Sequence, residues 1–171
     1  MAVWQYRGEF IPELWLIAEH GRIPDALENY LMSEDTDLDA IEDPHCWQET
    51  DVPTDIVAQV SAIMPQTKSW TEDALMFGDD KSSDFEIWYE DDEVDAIHFR
   101  WDIREPDLEV LNQIIVLAKR LGAYIVSGDR ATVVEPDFLA VLQDIKKSNA
   151  YRFCKDPESF LSELGRKHDK G

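Results

Sequence analysis

The chain is short of everything that holds a small secreted or membrane protein together. Its 171 residues contain 2 cysteines, too few for a disulfide framework, and Cys46 and Cys154 are expected to be free and reduced. No stretch approaches 18 apolar residues, which speaks against a membrane-spanning helix. The start of the chain, Met1 to Arg7, has no basic segment leading into an apolar run, so no secretory signal is read and the cytoplasm is the expected compartment. The 7 glycines stand apart from one another and form no phosphate-cradling loop. Cations are scarce as well: 16 Lys+Arg face 37 Asp+Glu, for a net charge of −21. On the roughly 8,600 Å² of surface expected for this mass, that is about one excess negative charge per 400 Å². A field of this sign repels phosphate backbones and anionic lipid, so direct nucleic-acid binding and membrane binding are excluded as expectations.

What is present suffices for one packed domain. Hydrophobic residues make up 44% of the chain, with 6 Trp, 5 Tyr and 7 Phe, and such a composition does not stay disordered. Residues 1–165 are read as a single domain and 166–171 as a polar tail. Residues 3–8 alternate as a strand. Pro12 ahead of an apolar run and Gly21 behind it predict a short helix over 13–20, with a strand as the competing reading. Pro24 and Asp25 open a second candidate helix through Leu31. Residues 34–55 read as a long exposed loop anchored by Trp47. Helical spacing returns at Ile56, Val57, Val60, Ile63 and Met64. Strands are expected at 75–77, 84–89 and 94–104, with an acidic hairpin loop between the last two.

Asp107 then caps a helix over 108–121, with Lys119 and Arg120 in its last turn and Gly122 beyond it. Two short strands follow at 123–126 and 131–134. Helices open at Pro136-Asp137 and at Asp156-Pro157. Strands in the centre and helices around them give an α+β fold, with an antiparallel central sheet and helices packed mainly on one face.

The segment 98–104 carries the densest chemistry. With period two, Ile97, Phe99, Trp101 and Ile103 face the core, and His98, Arg100, Asp102 and Arg104 face the other way. Two readings stay open. The row is a solvent face, with Asp102 neutralising its neighbours and nearby acids doing the rest, or it is a floor for an anion, with Arg100 and Arg104 as a fork and His98 as a titratable neighbour. No catalytic residue is assigned.

Metal and cofactor signatures are weak. Asp35, Asp37 and Asp39 imitate the start of a calcium loop, but Ala40 stands where the turn glycine belongs and Cys46 where a bidentate Glu belongs. His45-Cys46 has no partner at zinc-ligand spacing. Neither a metal nor a cofactor is expected.

The acids themselves are clustered. Glu34, Asp35, Asp37, Asp39, Glu42 and Asp43 lie in one loop, and Glu90, Asp91, Asp92, Glu93 and Asp95 in another. These clusters either keep the protein soluble and blunt a sheet edge, or they steer a basic protein partner to this surface.

A set of marker residues spans nearly the whole chain. It comprises Trp4-Gln5-Tyr6, Pro12, Gly21, Ile23-Pro24, Pro65, Ser69-Trp70, Gly78-Asp79, Asp102-Ile103-Arg104, Leu117-Ala118, Glu135-Pro136, residues 148–153, Asp156-Pro157 and Phe160-Leu161. In these the chain resembles a group of small, uncharacterised acidic bacterial proteins, loosely similar to immunity proteins that cover a toxin's active site. The resemblance implies a non-enzymatic binding module acting on a basic partner such as a toxin. It carries no catalytic residue over to this sequence, and oligomeric state stays open.

Overall fold

The computed structural model describes residues 3–27 and 45–168. Strand β1 (Gln5–Pro12) runs straight into helix α1 (Glu13–His20), because Pro12 fixes the turn and the freed Glu13 N–H donates to the Gly122 carbonyl at 2.9 Å. Gly21 closes α1 in the left-handed region (φ 72°), a conformation that costs glycine nothing. The expected helix at 25–31 does not begin where it was read. Asp25 to Leu27 instead lie extended against 131–133, with Leu27 N donating to Ala131 O and Val133 N to Asp25 O. Residues 28–31 lie outside the described residues.

Next come α2 (Ile56–Ser61), β2 (Gln66–Thr67), β3 (Ala74–Gly78), β4 (Asp84–Glu90) and β5 (Glu93–Asp102). Helix α3 (Leu108–Arg120) starts where Asp107 accepts from Val110 N at 3.0 Å. Strands β6 (Ala123–Ser127) and β7 (Val133–Val134) follow, then α4 (Phe138–Lys147), α5 (Asn149–Lys155) and α6 (Pro157–His168). Helix α5 is not legible in the sequence. Its seven residues hold too few apolar positions to show a period, and its signal is the single cap Ser148, whose Oγ accepts from Tyr151 N. Helix α6 runs past Gly165, three residues into the segment read as a tail.

The strands form one antiparallel sheet in the order β2-β3-β4-β5-β1-β6-β7, as expected for an α+β fold, with β5 at its centre. Phe10, Phe85, Ile87, Ile97, Phe99, Trp101 and Ile125 join Leu111, Ile114 and Ile115 of α3 and Val141 and Ile145 of α4 in one buried cluster. Tyr6 sits in that cluster with its hydroxyl donating to Asp144 of α4 at 2.9 Å, which ties α4 to the core-facing side of β1. Trp47 is buried as expected and donates its indole N–H to Phe10 O at 2.9 Å, pinning the 45–57 loop over one end of the core.

The β4–β5 turn places Asp91 (φ 49°) and Asp92 (φ 65°) both in the left-handed region, between paired Glu90 and Glu93. This is a two-residue hairpin of the primed kind, in which aspartate is tolerated. One step inward the register shifts: Tyr89 pairs with Val94 but Trp88 pairs with Ala96, so Asp95 is the extra residue of a bulge.

Candidate functional site

Strand pairing decides what surrounds the polar row of β5. Arg100 lies between Asp84 of β4 on one side and Arg7 of β1 on the other; Glu86 and Glu9 flank His98 in the same way; Gln5 pairs with Asp102. The far face of the sheet is therefore a grid of charges of both signs.

Arg100 is committed within it. Its Nε donates to Asp84 Oδ1 at 2.8 Å and its Nη2 reaches both Asp84 and Glu86 Oε1, the latter at 3.0 Å. Burial pushes the Asp84 carboxyl above its ordinary value while the Arg100 guanidinium pulls it down; Arg100 itself is held above its usual value by the Asp84 hydrogen bond.

Arg104 is committed elsewhere. It grips Asp102 through Nε (3.1 Å) and Nη2 (2.7 Å), donates to Lys81 O at 3.1 Å, and lies 4.0 Å over the Trp4 ring. The Arg104 side chain, followed by its backbone N–H, holds the Asp102 carboxyl below its ordinary value. Gln5 donates to Asp80 O and Ser82 O, so Gln5, Asp102 and Arg104 together clamp the 79–83 loop onto the ends of the inner strands β1 and β5. The two arginines read as a fork are thus parted into two ion pairs, and the floor is charge-balanced instead of positive. For Arg100 the reason is β4, whose Asp84 and Glu86 stand across from it; for Arg104 it is Asp102, two residues back in its own segment.

Between these side chains lies a cleft of about 170 Å³ lined by Arg7, Asp84, Glu86, His98, Phe99 and Arg100. Arg7 Nη2 lies 3.4 Å from His98 Nδ1 and, among the described residues, Arg7 forms no ion pair. With Nδ1 accepting from Arg7, His98 carries its proton on Nε2, which lies 3.3 Å from the buried Glu9 carboxylate without the alignment of a hydrogen bond. Arg7, Glu9, Asp84 and Glu86 were not singled out from the sequence.

The second candidate region is split by the structure. Glu34, Asp35, Asp37, Asp39, Glu42 and Asp43 lie outside the described residues. Glu90, Asp91, Asp92 and Glu93 are all exposed at the hairpin tip. Beside them runs a groove of about 470 Å³ between residues 47–57 and 89–94. Its lining includes Val52, Pro53, Val57, Tyr89 and Val94 together with the carboxylates Glu49, Asp51, Asp92 and Glu93, and among the described residues no lysine or arginine lines it. The same hairpin draws in His45, whose Nδ1 lies 2.7 Å from Asp95 Oδ1 and 3.2 Å from Glu90 Oε2. Sequence spacing could not show that meeting, since the three residues come from separate segments.

Cys154 is half-buried and its thiol is pushed above the ordinary range, chiefly by burial, so it stays protonated and is a poor nucleophile. Among the described residues no helix is long and apolar enough to cross a membrane. Compared with known proteins, the chain matches no family model, no curated protein and no solved structure.

Proposed function

We propose that this chain is a non-enzymatic binding protein that presents acidic surface to a basic protein partner. The observation that carries the reading is the groove between residues 47–57 and 89–94, a trough whose lining combines apolar side chains with four carboxylates. Arginine and lysine fit such a trough, because their methylene stems cover apolar surface while the charged heads stay at the rim. The hairpin tip adds Glu90 and Asp91, and the whole molecule contributes a net −21. Concentrating like charge this way costs stability through self-repulsion, a cost that a cationic partner relieves on docking.

The competing reading, an anion- or small-molecule-binding or enzymatic face built on Arg100, Asp102 and Arg104, loses support because both guanidinium groups already hold carboxylates. Arg7 in its small cleft is what remains in its favour. A narrower form of the first reading is an immunity protein that covers a toxin, acting in the cytoplasm of a bacterial cell.

The test has two stages. A partner captured from native-cell extract is purified, and its association rate is measured between about 50 and 300 mM salt. A steered encounter slows roughly tenfold or more over that range. The variant Glu49→Gln/Asp51→Asn/Asp92→Asn/Glu93→Gln, checked for an unchanged circular dichroism spectrum, is expected to bind at least about tenfold more weakly. A rate indifferent to salt together with unchanged binding by the variant overturns the reading.

A further inference from the structure

The meeting of His45, Glu90 and Asp95 beside the acidic groove has a geometry of its own. We propose that these three side chains form a binding site for a first-row divalent transition-metal ion.

Three different pieces of chain supply the donors. His45 lies two residues before Trp47, which is anchored to Phe10 O, Glu90 ends β4, and Asp95 is the bulged residue of β5. A regular ladder would leave Asp95 in the pairing register. The bulge frees it from that register and re-aims its carboxylate at the imidazole. Nδ1 stands 2.7 Å from one carboxylate oxygen and 3.2 Å from the other, and the three donor atoms lie within 4.8 Å of one another. An ion held at about 2.0–2.2 Å from each ligand places neighbouring donor atoms roughly 3.0–3.4 Å apart. Seating it therefore asks the two measured edges to move by only a few tenths of an ångström.

The chemistry of the donors narrows the ion. One imidazole nitrogen with two carboxylate oxygens suits zinc, manganese or cobalt better than calcium, which takes six to eight oxygens, or magnesium, which takes oxygens and keeps its water. A neutral imidazole and two carboxylates carry two negative charges, which match a divalent ion. Gln48 stands beside the site, with its Nε2 donating to Glu90 Oε2 at 2.9 Å; turned over, its amide offers a further oxygen. Half-exposed His45 and Glu90 leave room for water at the remaining positions. Exposure also means the affinity is modest. The consequence of binding is mechanical: the ion ties the 45–57 loop to the hairpin and so fixes both walls of the acidic groove.

The experiment is a calorimetric titration of metal-stripped full-length protein with Zn²⁺, read alongside the thermal midpoint. One equivalent is expected to bind and to raise the midpoint. His45→Ala and Asp95→Asn are each expected to weaken binding about 10-fold or more and to abolish the thermal shift, while Glu105→Gln, an exposed acid elsewhere, leaves both unchanged. His45 is half-exposed and Asp95→Asn is nearly isosteric, so both variants fold. Equal binding by wild type and the His45 and Asp95 variants overturns the proposal in favour of diffuse attraction to the acidic surface. No binding at about 100 µM Zn²⁺ overturns it as well. Neither result touches the partner-binding reading, which is measured by association rate.

Discussion

Arg100 and Asp84 face each other across the two central strands of the hairpin, and their contact is what turns a row of cationic side chains into a structural lattice. The pair is asymmetric. Arg100 neutralises two carboxylates at once, Asp84 and Glu86, whereas among the described residues Asp84 pairs with Arg100 alone.

That asymmetry predicts unequal mutants. Arg100→Ala leaves two shielded carboxylates facing each other and is expected to cost about 2–4 kcal/mol. Asp84→Asn keeps the Arg100–Glu86 bond and removes a carboxyl that burial already disfavours, so about 1 kcal/mol is expected. Urea unfolding of both variants at neutral pH checks the order; equal losses would show that the double contact of Arg100 carries no extra weight.

The Asp102 carboxyl gives a pH dependence with a definite sign. Its folded value is depressed below the unfolded 3.8 by Arg104, so its stabilising contribution is full above about 3.8 and disappears as pH falls through the folded value. Asp84 and Asp144 act in the opposite direction. Burial raises both, so as pH falls through their raised values the native state takes up protons first and gains stability. Asp102→Asn is expected to lose about 1–3 kcal/mol at pH 7, and the gap from wild type should close as pH drops below 3.8. Denaturation midpoints at pH 7, 4 and about 2.5 test this; a gap that stays constant with pH would place the loss in packing instead of ionisation.

Two glycines are expected to fail for different reasons when replaced by alanine. A Cβ on Gly8 would stand 2.4 Å from the buried Phe99 ring, so Gly8→Ala overpacks the core at a cost of about 2–3 kcal/mol. A Cβ on Gly21 would meet no described atom within 4 Å, but the residue holds φ +72°, so Gly21→Ala costs about 1 kcal/mol through backbone strain alone. Gly21→Asn, a residue that tolerates this region, should recover part of that loss, whereas no substitution that adds a Cβ rescues Gly8. Thermal melts of the three variants separate the two causes.

The elements with a strong local signature were legible from residue order. Asp107, the apolar stripe from Leu111 to Ala118 and Gly122 delimit α3 without reference to anything distant. The alternation from Ile97 to Trp101 fixes which residues of β5 meet the core. The helix read at 25–31 failed at its start because the extended pairing of Asp25 to Leu27 with 131–133 is a long-range contact that overrides the local Pro-Asp signal.

The candidate site shows the division most sharply. Residue order alone places His98, Arg100, Asp102 and Arg104 on one side of β5 and gathers the acids in a hairpin tip. Which charges stand opposite them was set by one inserted residue. Counting back from Glu90 opposite Glu93 along a regular hairpin would place Asp84 against Phe99; the bulge at Asp95 shifts the register so that Asp84 meets Arg100 and Phe85 meets Phe99. A strand's side chains alternate with period two, so a slip of one residue exchanges every contact on both faces. The same bulge brings Asp95 to Glu90 and to His45, fifty residues away in the chain. Side-chain identity and periodicity are local properties and are written in the residue order, whereas pairing register and the meeting of distant segments follow from burying both apolar faces at once, which only the tertiary structure decides.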